Sequence, residues 1–239
     1  MGCGLYALFC VGLYIFQERL LFYPSPLLQR LAYPFRSSFE EHFIPVKGSR
    51  LNAVLLKTAN TKGLVIYYHG NAGNILLWEP VSWSFLRCGY DDLLVDYRGY
   101  GKSGGRIQSE AQLLSDAEAA YQWALARYPE SQIVLCGRSI GSGLSTYLAS
   151  IHRPQKRILE SAYFSLLDMK KHLYPFVPDF LLRYTLRTDL WMGGVRCPIF
   201  LIHGRQDALI PFSSSERLPE NPINPLLRGK KGARPSPKW

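Results

Sequence analysis

Seven short apolar runs, each closed by glycine, proline or a polar residue, constrain the fold of this 239-residue chain more than any other feature. They are HFIPV, NAVLLK, GLVIYYH, DLLVDY, QIVLCG, RILES and PIFLIHG. Runs of this length, rich in β-branched and aromatic residues, read as strands. Between two of them, SEAQLLSDAEAAYQWALARYP sets Leu114, Ala117, Tyr121, Ala124 and Tyr128 three and four apart, the spacing of one helix face. Ser109 and Gln112 form a capping box at its start. Strand and helix in alternation predict an α/β class, with a mainly parallel, doubly wound sheet, helices on both faces, and ligands at the carboxyl ends of the strands.

The ends of the chain differ from its middle. GLYALFCVGLYIF, residues 4–16, is apolar and uncharged and precedes Gln17, Glu18 and Arg19. It is short for a spanning helix and lacks the basic start and small-residue cleavage site of a secretion signal. Residues 1–23 are nonetheless expected to be a single uncleaved N-terminal membrane anchor, a transmembrane helix acting as signal anchor, the alternative being an amphipathic helix packed on the domain. The net charge of +10 is not spread evenly. From Arg217 onward six basic residues stand against Glu220 alone, so half the excess lies in the tail, and nucleic acid is not expected as a partner. The five cysteines are odd in number and scattered, which fits neither a disulfide framework nor a metal site. No cofactor or metal is expected.

One motif carries chemistry. LCGRSIGSG puts Ser139 between Gly137 and Gly141, after a strand and before the helical pattern SGLSTYLASIH. Glycines at both flanks allow a sharp turn that exposes a serine at its crest. Two loops after strands complete the set: HGNAGN, rich in glycine, suits backbone N–H donors for an oxyanion, and Asp207 after PIFLIHG suits the orientation of an imidazole. GYGKSG, Gly99–Gly104, is no dinucleotide fingerprint, because the helix opens only at Ser109 and no acid ends a strand twenty residues on. Tyr97, Arg98 and Ser103 read as a structural turn.

The order HGNAGN, DYRGYGKSGG, GRSIGSG, LESAYFSLLDM, HGRQDALIPF resembles the α/β-hydrolase superfamily, and within it the small membrane-anchored serine hydrolases of the serine aminopeptidase and bud-emergence type. The resemblance runs from Gln17 to Leu218. It implies an α/β-hydrolase fold and hydrolysis of an ester, thioester or amide through an acyl-enzyme, with a small-molecule or acyl substrate. It implies that Ser139 is the nucleophile, Asp207 the acid, and the backbone N–H groups of Asn71 and Ile140 the oxyanion hole. FVPDFLLRYTLRTDLWMG resembles the family's small cap, expected around residues 164–194 of a domain spanning 24–218.

The catalytic histidine departs from the pattern. In this fold it follows the acid, by roughly thirty residues in this family. No histidine follows His203 in this sequence. After SSSERL, Pro219, Pro222 and Pro225 break the helix before the basic, proline-rich stretch that closes residues 219–239. The last strand and helix of the sheet are therefore expected to be incomplete. His69 and His203 each precede a glycine at a strand end and read as loop-shaping, His42 and His152 lie outside the site, and His172 near the cap is the remaining candidate base. The alternative function is a catalytically silent binding or scaffold protein on the same fold.

Overall fold

A computed structural model describes residues 2–218 together with Leu227 and Arg228. Helices α1 (Gly2–Ile15) and α2 (Gln17–Leu21) lead into the two-residue strand β1 (Tyr23–Pro24). A hairpin of β2 (Phe39–Val46) and β3 (Ser49–Leu56) follows, turning at Gly48 with φ 70°. The chain continues through β4 (Leu64–Tyr68), β5 (Ala72–Gly73), α3 (Ile75–Arg87), β6 (Asp91–Val95), α4 (Glu110–Leu125), β7 (Ile133–Arg138) and α5 (Ile140–Ile151). It ends with β8 (Lys156–Glu160), α6 (Leu166–Leu173), α7 (Thr188–Trp191), β9 (Ile199–Ile202), α8 (Phe212–Glu216) and β10 (Leu227–Arg228).

Eight strands form the main sheet in the order β10-β9-β8-β7-β4-β6-β3-β2. All pair in parallel except β2 with β3 and β3 with β6. The strand order reverses at β4, whose neighbours are β6 on one side and β7 on the other. A ligand crevice belongs at that switch point, outside the carboxyl ends of β4 and β7.

The central strands are apolar because both faces are covered. In β4, Leu64, Ile66 and Tyr68 join the core under α4 and α5, while Val65 and Tyr67 join the core under α3. Helix α4 starts where the capping box puts it: the Ser109 side chain accepts from the Gln112 N–H at 3.1 Å. Gln112 reaches back to the Gln108 N–H rather than to that of Ser109, one residue earlier than in a standard box.

All seven strand segments predicted from sequence are present. Two short pairings are not legible there. β1 and β5 make a separate two-stranded parallel sheet, and β10 pairs with β9 through Leu227 and Arg228. The last strand and helix, expected to be incomplete, are among the described residues the two residues of β10 and the five of α8. Backbone groups alone make that pairing, so it needs no alternating pattern. The rest of the expected tail, residues 219–226 and 229–239, lies outside the described residues.

The N-terminal segment is built into the domain. No helix among the described residues is long and apolar enough to cross a membrane, so the expected transmembrane helix is not found. Gln17 and Phe22 are buried, and the expected boundary after residue 23 falls inside β1. Residues 164–194 form a layer of short helices and turns beside it, held by Glu110, whose Oε2 accepts from the N–H groups of Thr185 and Leu186.

Candidate functional site

Ser139 sits between β7 and α5 with φ 50° and ψ −120°. That positive φ is strained for a residue with a Cβ and persists only where its surroundings enforce it. Here they do. The Ser139 N–H donates to the Glu160 carbonyl at 2.9 Å, and its own carbonyl accepts from the Ser142 N–H at 2.8 Å. Both flanking glycines are required by close approach: a Cβ on Gly137 would lie 2.2 Å from the Gly141 oxygen, and one on Gly141 would lie 2.0 Å from the Tyr68 oxygen. The turn brings α5 against the end of β4, with Ser139 half-buried.

The loop after β4 reaches the same place. A Cβ on Gly70 would stand 4.0 Å from the Ser139 Cβ and 3.2 Å from the Trp78 ring, so the residue before Asn71 adjoins the serine. Asn71 is fixed on three sides. Its carbonyl accepts from the Tyr23 N–H at 2.9 Å and the Tyr100 hydroxyl at 2.7 Å, and its Nδ2 donates to the Leu21 carbonyl at 3.1 Å. Ile140, the other expected oxyanion donor, is the first residue of α5, where an N–H has no intrahelical acceptor and the helix dipole favours negative charge. The structure thus sets Ser139 beside Gly70, the residue before Asn71, and directly before Ile140.

Beneath the loop lies a polar layer that sequence reading did not assign. His69 and Asp96 are both buried, with Nε2 3.4 Å from Oδ1. His69 Nδ1 lies 2.7 Å from the Gly70 carbonyl, and Tyr97 donates its hydroxyl to the His69 carbonyl at 2.6 Å. Burial pushes the Asp96 carboxyl above the usual range, and the His69 ring pulls it back. Arg98 pairs with Asp116, and the Ser103 hydroxyl donates to the Asp96 carbonyl, so Tyr97, Arg98 and Ser103 are the structural turn that sequence suggested. An Asp and a His at the ends of adjacent strands were the available signal for the buried pair.

Asp207 lies in the loop after β9. Its Oδ1 accepts from the N–H groups of Leu209 and Ile210, each at 3.0 Å, and its Oδ2 lies 3.6 Å from His203 Nε2. His203 is engaged at both ring nitrogens: Nδ1 by the Ser215 hydroxyl and Nε2 by the Ile210 carbonyl at 2.9 Å. Both contacts tie His203 to the segment that follows Asp207. Asp168 pairs with Arg217 and is no rival acid. His42 packs on Trp123, His152 bonds Glu118, and His172 is exposed in the last turn of α6. Among the described residues, no group of three or more His, Cys, Asp or Glu side chains is arranged to hold a metal.

The chain is similar in fold and sequence to known proteins. The fold is similar to that of the esterase Pf2001 of Pyrococcus furiosus, with a TM-score of 0.66 and 21% identity over 83% of this chain and 82% of that one. The chain is 32% identical over 190 residues to the uncharacterized protein YfhR of Escherichia coli K12, covering 74% of this chain and 65% of YfhR. It is 29% identical over 182 residues to the lysophosphatidylserine lipase ABHD12 of Danio rerio, covering 65% of this chain and 46% of that protein. The chain therefore matches about half to two thirds of these relatives' length. The profile of the serine aminopeptidase S33 family matches residues 59–188, from the start of the parallel sheet through the elbow and into the cap, and the chain belongs to that family of α/β hydrolases.

Proposed function

We propose that the protein is a serine hydrolase that cleaves an ester, thioester or amide through an acyl-enzyme on Ser139. One observation carries the reading: the backbone of Ser139, held at φ 50° on a strand-to-helix turn with glycine on both sides. That conformation presents Oγ at the carboxyl end of the sheet. Oγ attacks the substrate carbonyl carbon as a general base takes its proton, the oxyanion is held by the N–H groups of Asn71 and Ile140, and collapse of the intermediate expels the alcohol, thiol or amine, which receives that proton. Water then releases the acyl group. Asp207 serves to orient an imidazole and to stabilise its charged form. The lipase and esterase among the similar proteins favour a carboxylic ester as the first substrate class to test. The apolar run of residues 4–16 supports attachment to a membrane through residues 1–23.

A second reading, a silent hydrolase fold with a binding or scaffold role, is favoured by His203. It is the histidine beside Asp207, yet both its nitrogens are engaged away from Ser139. Losing the base of a serine hydrolase lowers turnover by about 10⁶, while the oxyanion hole and binding leave about 10³ to 10⁴ over water. Turnover of p-nitrophenyl esters and labelling by a fluorophosphonate, each compared with Ser139→Ala, separate the two. Ser139-dependent turnover at ordinary enzymatic rates supports the hydrolase. Hydrolysis barely above background, restored when a family-like strand and Gly-His loop replace the segment after Leu218, supports the silent site.

A further inference from the structure

Helix α1 has no polar face. Gly2 to Phe16 contains no Asp, Glu, Lys or Arg. One side of the helix rests on the cap layer: the Tyr6 hydroxyl donates to the Phe176 carbonyl at 2.6 Å, and the Phe9 and Phe176 rings lie 6.2 Å apart. Helix α2 fixes the attachment, because Gln17 donates to the Leu181 carbonyl at 2.9 Å and accepts from the Arg183 N–H at 2.7 Å. The other sides stay apolar and open, with Leu5 and Leu8 each 69% exposed. The cap continues this surface through Phe176, 57% exposed, and Phe180, 83% exposed, beside the exposed Leu173 and Tyr174.

We propose that the outer face of α1 and the cap tip Leu173–Phe180 together form one docking surface for an anionic phospholipid bilayer. The inference rests on the membrane attachment proposed above and adds the cap as a second contact. The helix has 14 residues, about 21 Å at 1.5 Å per residue, against a hydrocarbon core of about 30 Å, so it lies along the interface rather than through it. Charge selects lipid over a second copy of the chain. Arg19, Lys171 and Arg183 border the surface, with Glu18 paired to Arg183 and Asp179 shared between Lys171 and the buried Lys170, so the border keeps a net positive charge. A positive border around aromatic and aliphatic side chains complements anionic headgroups. A second copy apposed on the same face would set that border against itself. The docked segment runs straight into β1, whose Tyr23 N–H holds the Asn71 carbonyl, so the bilayer surface lies one short strand from the proposed oxyanion loop.

The test is flotation of the full chain with phosphatidylcholine–phosphatidylserine vesicles, with pure phosphatidylcholine vesicles as comparison. The chain should float with the mixed vesicles and less with the neutral ones. Phe176→Asp with Phe180→Asp should lower partitioning by about tenfold or more. The Phe180 ring is 83% exposed, so Phe180→Asp alone should leave the melting temperature unmoved while still lowering partitioning, whereas Phe176 also packs on Phe9. In a separate variant, Phe180→Trp, added emission should shift to the blue on mixed vesicles and be quenched by brominated lipid. If the double variant partitions like the unmodified chain, the cap contact is overturned while attachment through residues 1–23 stands. If the unmodified chain does not float, both readings fail. Equal flotation with neutral vesicles overturns the anionic preference. A lipid-free dimer that the double variant converts to monomer makes the second copy the occupant and overturns the proposal.

Discussion

Replacing Gly141 by alanine tests the contact on which the site's geometry depends. A Cβ there would lie 2.0 Å from the Tyr68 oxygen, 2.6 Å from the Tyr68 carbonyl carbon and 2.9 Å from the His69 oxygen. These are backbone atoms, so no side chain can rotate away. Real Cβ atoms essentially never approach within 3.0 Å, and α5 and the end of β4 must therefore part by about 1 Å. Neither element yields easily. β4 is paired on both sides, with β6 and β7, and the buried Tyr68 hydroxyl donates to the Ala117 carbonyl at 2.9 Å. Helix α5 is tied back through the Ser139 N–H to the Glu160 carbonyl.

Overpacking a close-packed core costs about 1–3 kcal/mol, and backbone pressed on backbone belongs at the top of that range. At about 2–4 °C per kcal/mol for a domain of this size, Gly141→Ala should melt about 6–12 °C below the unmodified protein. Gly193→Ala is the control. Nothing lies within 4 Å of its Cβ, so it should melt at or slightly above the unmodified protein. Both are read by scanning calorimetry at one pH. A Gly141→Ala melting point within about 2 °C of the unmodified protein would refute the close approach of α5 to β4.

Asn74 caps α3 by accepting from the Leu76 N–H at 3.0 Å and donates to the Ser25 carbonyl at 2.9 Å, so Asn74→Ala should lower stability by about 1–2 kcal/mol in urea titration. Burial raises the Asp92 carboxyl from 3.8 to about 7, with Ser82 opposing the shift. The folded protein then keeps a proton that the unfolded chain loses, so stability falls as pH rises from about 4 to about 7. Asp92→Asn should lack that fall, its melting point gaining on the unmodified protein across the same window; a constant difference refutes the assignment. Arg157 is fully buried, its Nε and Nη1 have no hydrogen-bond partner among the described residues, and burial lowers its pKa to about 10. Arg157→Met should leave the melting point unchanged or raise it, and a drop of several degrees would reveal a partner.

How much of this was legible in the sequence follows from which groups make each contact. β4, β6 and β7 are buried on both faces, so side-chain transfer dictates apolar runs, residues 64–68, 93–95 and 133–136, that can be read directly. The elbow was legible because only glycine fits at 137 and 141, and α4 because Ser109 caps it. Contacts made by backbone left no comparable trace. Tyr23–Pro24 pairs with Ala72–Gly73 across about fifty residues through main-chain groups, and two-residue strands have no period. The His69–Asp96 pair was obscured for another reason: a His-Gly at a strand end reads the same whether the ring meets solvent or a buried carboxylate.

The largest gap lies at the N-terminus, and it changes what that segment is for. Its apolar run reads as an anchor because hydropathy registers side chains, yet the hydrogen bonds that end it serve the site. Leu21 supplies the carbonyl for Asn71 Nδ2, Tyr23 supplies the N–H for the Asn71 carbonyl, and Ser25 takes the N–H of Gly101 while donating its own to Gly73. Phe22 fills the core against Tyr184, its ring centroid 5.2 Å away. A cut after residue 23 passes through β1. It removes two of the three hydrogen bonds that hold Asn71, leaving the Tyr100 hydroxyl, and empties the space of a buried phenylalanine, a change that costs about 3–5 kcal/mol when made as Phe→Ala. The proposed membrane attachment and the proposed oxyanion loop are therefore coupled in one covalent segment. A soluble fragment begun at residue 24 would lose more than an anchor, because the loop that carries Asn71 is braced from outside its own strand.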